Sequence, residues 1–314
     1  SSCCDDFWNS LTESIVFFVN DNGIGNVLFI NVNFGVNMDR RNVLIAMVSL
    51  PLISPIAGAL AQSAGAPRGA VNAAKPTLTT IGAAINKAGR QRMLSQRMAK
   101  AYAQMGLGLL PDRAFKIMND SIALFDAHQN ELASFAPTAE IARTYSELSG
   151  AWKTFRDLLA TAPNPDSGAQ VQEQNEIVLR IANRGAGELE RHAGTTIGRL
   201  VNVSGRQRML SQRIAKFFMF REWGLPKAVD GELNAARAEF RTALHTLRID
   251  PETSEDIRTQ LGLAETQWLF FDNAVEASLK SKADLIRRQN VANSSERILE
   301  VFETVTGMYE KLAA

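Results

Sequence analysis

Ala88-Gly89-Arg90-Gln91-Arg92-Met93-Leu94-Ser95-Gln96-Arg97-Met98-Ala99-Lys100 returns 116 positions later as Ser204-Gly205-Arg206-Gln207-Arg208-Met209-Leu210-Ser211-Gln212-Arg213-Ile214-Ala215-Lys216. The same offset joins Thr80-Ile81-Gly82 to Thr196-Ile197-Gly198, Trp152 to Trp268 and Phe155 to Phe271. A run of this length does not recur by chance, and its period is longer than that of a solenoid repeat. The chain therefore reads as two copies of one whole domain, residues 76–191 and 192–314.

Each copy reads as four helices. In the first, apolar positions at helical spacing run from about Thr77 to Met105, through Ile81, Ile85, Met93 and Leu94. Gly106-Leu107-Gly108 and Pro111 end that helix. A second helix spans about Asp112 to Ser134. A third starts at Pro137 and passes Leu148, Trp152, Phe155 and Leu159. Pro163-Asn164-Pro165-Asp166-Ser167-Gly168 has the composition of a loop, and a fourth helix follows to about Leu189. In the second copy Gly224 and Pro226 break the chain after the first helix, and Asp250 with Pro251 has the pattern of a helix start. Strand-like alternation is absent. Short connections between long amphipathic helices favour antiparallel neighbours. The expected fold class is all-α, two tandem antiparallel four-helix bundles, with Trp152 and Trp268 as core anchors.

Spacing at about 100° per residue puts Ala88, Gly89, Ser95, Gln96, Ala99 and Ile85 on or near the helical face centred on Arg92. The same face of the second copy carries Ser204, Gly205, Ser211, Gln212, Ala215 and Val201 around Arg208. Small residues at this spacing let a second helix approach closely. A mid-helix glycine costs up to about 1 kcal/mol against alanine, so Gly89 and Gly205 point to packing or binding. Arg90 and Arg97 are expected on the far side, meeting solvent or acidic partners. If the two motif helices pack through this face, Arg92 meets Arg208. Two such charges about 6 Å apart repel by roughly 3 kcal/mol at an effective dielectric of 20. An anion between them reverses that penalty, and a planar oxyanion suits two forked guanidiniums. Ser95, Ser211, Gln96 and Gln212 are further candidate donors. The alternative, that each arginine pairs with an acidic side chain of its own bundle, stands beside this one.

Composition excludes other classes. A formal net charge of +1 gives no bulk attraction to nucleic acid, and no Lys/Arg block is interleaved with aromatics. The only cysteines are Cys3 and Cys4, so a disulfide framework or Cys/His zinc site is not encoded downstream. His128, His192 and His245 share neither repeat positions nor metal spacing, and read as surface or helix-end residues. Gly185-Ala186-Gly187 follows no strand and is not a phosphate loop. No nucleophile–base pair stands out. The expectation is a non-enzyme without metal or cofactor.

The N-terminal region reads differently. Met38 opens a short basic start, Asp39-Arg40-Arg41, followed by a largely apolar stretch from Val43 to Leu60 and a small-x-small site at Ala59-Leu60-Ala61. This is the pattern of a signal peptide over 38–61. Pro51, Ser54 and Pro55 interrupt the apolar run and disfavour a spanning helix; an inner-membrane anchor over residues 43–60 is the alternative. Arg40-Arg41 leaves both the general secretory and the twin-arginine routes open. Residues 1–37 would then be an upstream extension, and 62–75, rich in Ala, Gly, Ser and Pro, a flexible lead-in. The expected location is the periplasm.

The run Gly-Arg-Gln-Arg-Met-Leu-Ser-Gln-Arg, with a later Trp-x-x-Phe, resembles the PilJ/NarX-type periplasmic sensing domain shared by type IV pilus chemotaxis transducers and nitrate/nitrite sensor kinases. The likeness covers nearly all of 76–314, once per copy. It implies a four-helix bundle. For nitrate-sensing members it implies nitrate bound at a two-fold interface between first helices, by the arginine that corresponds to Arg92 and Arg208, with Gly89 and Gly205 beside it. Two departures stand out: both domains lie in one chain, and the sequence carries no second membrane segment, signalling helix, kinase or methyl-accepting region. The tandem would then replace the homodimer, each chain supplying both halves of the site. If the helix instead ran straight through His192-Ala193-Gly194, the copies would stack end to end, and a dimer of chains would be needed. The implied ligand is nitrate or nitrite. Membrane receptors or kinases are candidate partners, and a non-catalytic module docking onto a membrane receptor or pilus signalling component is the alternative function.

Overall fold

The computed structural model describes residues 80–225, 228–280 and 284–313. The proposed signal peptide, upstream extension and lead-in lie outside these. Eight helices follow one another among the described residues: α1 (Ile81–Gly106), α2 (Pro111–Phe135), α3 (Ala139–Leu159), α4 (Pro165–Ala193), α5 (Thr196–Glu222), α6 (Ala228–Ile249), α7 (Glu255–Lys280) and α8 (Leu285–Leu312). Helices α1–α4 and α5–α8 form two antiparallel bundles. No described helix is long and apolar enough to cross a membrane.

Local chemistry sets the helix ends. Thr80, Thr138 and Thr195 cap α1, α3 and α5, each hydroxyl accepting from the third residue on. The Pro163–Gly168 stretch is only half loop. Asn164 caps α4 in a reciprocal capping box with Ser167, and Pro165 occupies the first turn, where its missing N–H costs nothing. A second expectation fails at Asp250. Its carboxylate accepts from the Glu252 N–H inside the α6–α7 turn, and helix α7 begins at Glu255, where the Ser254 hydroxyl accepts from the Ile257 N–H. Asp250 also pairs with Arg199 at 2.6 Å. Gly194 takes φ +61° and turns the chain between α4 and α5, so the bundles lie side by side rather than end to end.

The two cores repeat each other. Trp152 stacks on Phe125 at 4.2 Å between ring centres and meets Phe155 edge-on; Trp268 stacks on Phe240 at 4.2 Å and meets Phe271 the same way. Such pairs contribute about 0.5–1.5 kcal/mol beyond area burial. The indole N–H of Trp152 donates to Asp126 at 2.7 Å.

The most extensive helix contact joins the two bundles: α1 packs along α5. This explains why both motif helices bury residues nearly all round, Tyr102, Phe217, Phe218 and Phe220 included. Trp223, at the end of α5, lies across the seam. A Cβ at Gly106 would sit 2.0 Å from its ring and one at Gly168 2.7 Å, so both glycines are shaped to it.

The bundles differ on their outer faces. Along α7, Thr259, Leu263, Thr266, Phe270 and Asn273 form an exposed, uncharged stripe, with Leu269 beside it; Leu269 and Phe270 are 62% and 66% exposed. The matching α3 positions carry Arg143, Glu147, Gly150, Thr154 and Asp157, with Lys153 beside them. The fold does not require an apolar stripe there.

Candidate functional site

Helices α1 and α5 run in the same direction and touch at Gly89 and Gly205. A Cβ on Gly89 would lie 3.6 Å from the Gly205 Cα, and one on Gly205 3.7 Å from the Gly89 Cα. A side chain larger than a methyl would not fit this approach, since even a Cβ would already touch the facing backbone and the end of Arg208. Both arginines converge here: a Cβ at Gly89 would be 3.1 Å from Arg208 Nη2 and 3.5 Å from Arg92 Nη2.

Each guanidinium crosses to the other helix. Arg92 Nη2 donates to the Asn202 side-chain and backbone oxygens at 2.6 and 3.2 Å; Arg208 Nη2 donates to those of Asn86 at 2.7 and 3.2 Å. Asn86 and Asn202 stand six residues before their own helix's arginine, again 116 apart. Their amide groups donate in turn to Glu310 and Glu190. A pseudo-two-fold axis between α1 and α5 relates the two halves.

That symmetry breaks at one position. Arg208 Nη1 donates to the Glu303 carboxylate at 2.8 Å, and Arg90 donates to the same group at 2.6 Å. In the corresponding place Arg92 Nη1 and Arg206 Nη1 donate to Asn183, at 3.1 and 2.8 Å. Asn183 and Glu303 match at an offset of 120, as do Glu176 and Glu296. Arg208 thus touches a carboxylate and Arg92 touches none among the described residues. Burial, followed by Arg206 and Arg208, lowers the Arg92 pKa to about 9. Burial lowers that of Arg208 as well, with Glu303 opposing. The Nε of each arginine is buried without a hydrogen-bond partner.

A second layer lies further along. Lys100 Nζ donates to Gln212 at 2.7 Å, to Ser295 at 3.0 Å and to Glu296; Lys216 Nζ donates to Asn175 at 2.9 Å and Glu176 at 2.5 Å. Both ammonium groups are buried and each crosses the seam to a carboxylate of the other bundle. Arg97 joins Glu296, and Arg213 joins Glu176.

The predicted residues are therefore gathered, with different duties. Gly89, Gly205, Arg92 and Arg208 meet at the crossing. Ser95 and Ser211 donate to the carbonyls of Arg92 and Arg208, at 2.8 Å each. Gln96 donates to Asn175 at 2.9 Å and Gln212 to the Ser295 carbonyl at 2.9 Å. The two serines bond within their own helices, and the two glutamines brace the motif helices against α4 and α8. Arg90 and Arg97 do meet acidic partners, but on α8 of the second bundle, which flanks α1, not on a far side. His128 is buried, contrary to a surface reading, and burial lowers its pKa to about 4.

Sequence reasoning missed Asn86, Asn202, Lys100 and Lys216, although the repeat contains them all. It missed Asn183, Glu303, Glu176 and Glu296 because their offset is 120, not 116. Among the described residues no group of three or more His, Cys, Asp or Glu side chains could hold a metal ion.

Residues 78–177 and 196–293 match the family model described as type IV pili methyl-accepting chemotaxis transducer N-term, PilJ. No curated protein and no solved structure matches the chain. Two matches, each carrying one copy of the arginine motif and together spanning more than half the sequence, agree with the paired bundles: the chain belongs to the PilJ family, with two copies in tandem.

Proposed function

We propose that this chain is a periplasmic sensory or binding module that recognises a small anion, nitrate or nitrite first among them, at the Arg92–Arg208 layer. The family is one of chemotaxis signalling modules. The observation that carries the anion reading is a fully buried arginine, Arg92, which touches no carboxylate among the described residues and lies beside a second buried arginine. An uncompensated buried cation is costly, and a bound anion relieves that cost. Export fits the signal-peptide pattern over 38–61. Calorimetric titration of nitrate is expected to show one site per chain. Arg92→Lys with Arg208→Lys keeps both charges but removes the forks, and should weaken binding at least tenfold. Absence of heat and of any thermal shift with nitrate and nitrite would end the anion reading.

A second reading, a module that docks onto a membrane receptor or pilus signalling component, is favoured by the uncharged stripe on α7. Exposed apolar patches of this kind mark protein contacts. Leu263→Glu with Phe270→Glu should then abolish capture of the partner while leaving the melting temperature and anion response unchanged. Unaltered capture would remove the stripe from consideration.

A further inference from the structure

The duplicated site contains its own template. At the pseudo-equivalent position in the second bundle, a carboxylate, Glu303, receives Arg208 and Arg90. The first bundle presents the matching arginines, Arg92 and Arg206, to the neutral oxygen of Asn183. The surrounding fold is the same on both sides, so the chemistry that Glu303 supplies is the chemistry that the Asn183 side accommodates. Hydrogen bonds from a guanidinium to an anionic oxygen are about twice as strong as those to a neutral one.

Access exists on that side. Asn183 is exposed and lines a groove of about 270 Å³ between α4, α5 and α6, together with Arg180, Arg206 and Arg213. Glu176, Glu232 and Glu239 also line it, but each is engaged: Glu176 and Glu232 by Arg213, and Glu239 by Arg206. Arg213 holds two of these carboxylates, one of them shared with Lys216, and Arg206 holds the third, so none of the three reaches Arg92, which lies directly behind Asn183. Its Nε is buried and has no partner. The axis between the arginines offers no such room. There the two glycine backbones are in contact, and both Nη2 groups are already committed to Asn86 and Asn202.

We infer that one planar, singly charged oxyanion of the carboxylate or nitrate type binds beside the pseudo-two-fold axis, replacing the Asn183 amide as acceptor for Arg92 and Arg206, and enters from the α4–α5–α6 groove. This rests on the anion reading above and gives it a location, a stoichiometry and a route. Asn183 is a placeholder whose side chain swings into solvent when the anion arrives. Glu303 is a permanent occupant of the other half.

The test uses the full chain, with sodium nitrate and sodium acetate titrated at matched ionic strength. Asn183→Asp changes charge without changing shape. It should raise the melting temperature in anion-free buffer and weaken binding of both probes at least tenfold. Asn183→Ala removes the competing amide and should tighten binding severalfold. A response to either probe that Asn183→Asp weakens and Asn183→Ala strengthens supports the seat, and the tighter of the two identifies its source as inorganic or carboxylic. Binding to the wild type that is unchanged in both variants overturns the off-axis seat and leaves the anion on the axis. A wild type silent to both probes overturns this inference together with the reading it rests on.

Discussion

Glu296→Gln is expected to lower the melting temperature by about 10 °C. The carboxylate is nearly buried and serves Lys100 and Arg97 together. Removing one partner of a buried pair costs about 3–5 kcal/mol, and each kcal/mol moves the midpoint of a domain this size by about 2–4 °C. The lost partner matters most for Lys100, whose ammonium cannot reach water. Burial alone would raise the Glu296 pKa, but Lys100 and Arg97 reverse this and hold it at about 2. The folded-state value lies below the unfolded one, so the stabilisation is complete above about pH 4.5 and is lost as pH falls towards 2. Its size is about 3 kcal/mol. Melting curves across that range should be steep for the wild type and flatter for Glu296→Gln. Equal slopes would show that the pair does not couple folding to protonation.

Gly89→Leu combined with Gly205→Leu should do comparable damage by a different route. Overpacking costs about 1–3 kcal/mol per site, and here both insertions fall where two backbones touch. The helices must part, and Arg92 and Arg208 then lose Asn202 and Asn86. Single alanine changes are far milder: the closest atom to the new Cβ is the end of the Arg208 side chain at 3.1 Å, and alanine favours the helix by up to about 1 kcal/mol. The expected series is alanine near neutral and double leucine about 10 °C lower, with the proposed response to nitrate lost as well. A double-leucine variant that melts with the wild type would mean the close approach is not what holds the seam.

The helices and the seam were legible because both rest on local or repeated signals. Periodicity marks α1 through α4, and the small-residue face around Arg92 and Arg208 marks the contact that joins the bundles. The misreadings have physical causes. Pro165 looks like loop composition, yet proline is well suited to a first helical turn. Asp250-Pro251 has the pattern of a helix start, but the Asp250 carboxylate is used within the turn and by Arg199. Arg90 and Arg97 point to flanking acids because α8 packs beside α1, which no single-helix projection contains. The partners that the arginines find outside the motif helices were illegible for a related reason. They lie on α4 and α8, whose register differs by four residues from that of the motif helices, so a repeat search at one offset passes over them.

A seam between subunits dissolves when the protein is dilute; one within a chain does not. The Gly194 turn tethers α5 to α4, beside α1, and a short tether holds its ends at an effective concentration of the order of millimolar. The Arg92–Arg208 layer therefore forms at any expression level. For the proposed anion, occupancy of that layer would then depend on ligand concentration alone, and a cell holding few molecules would read the same threshold as a cell holding many.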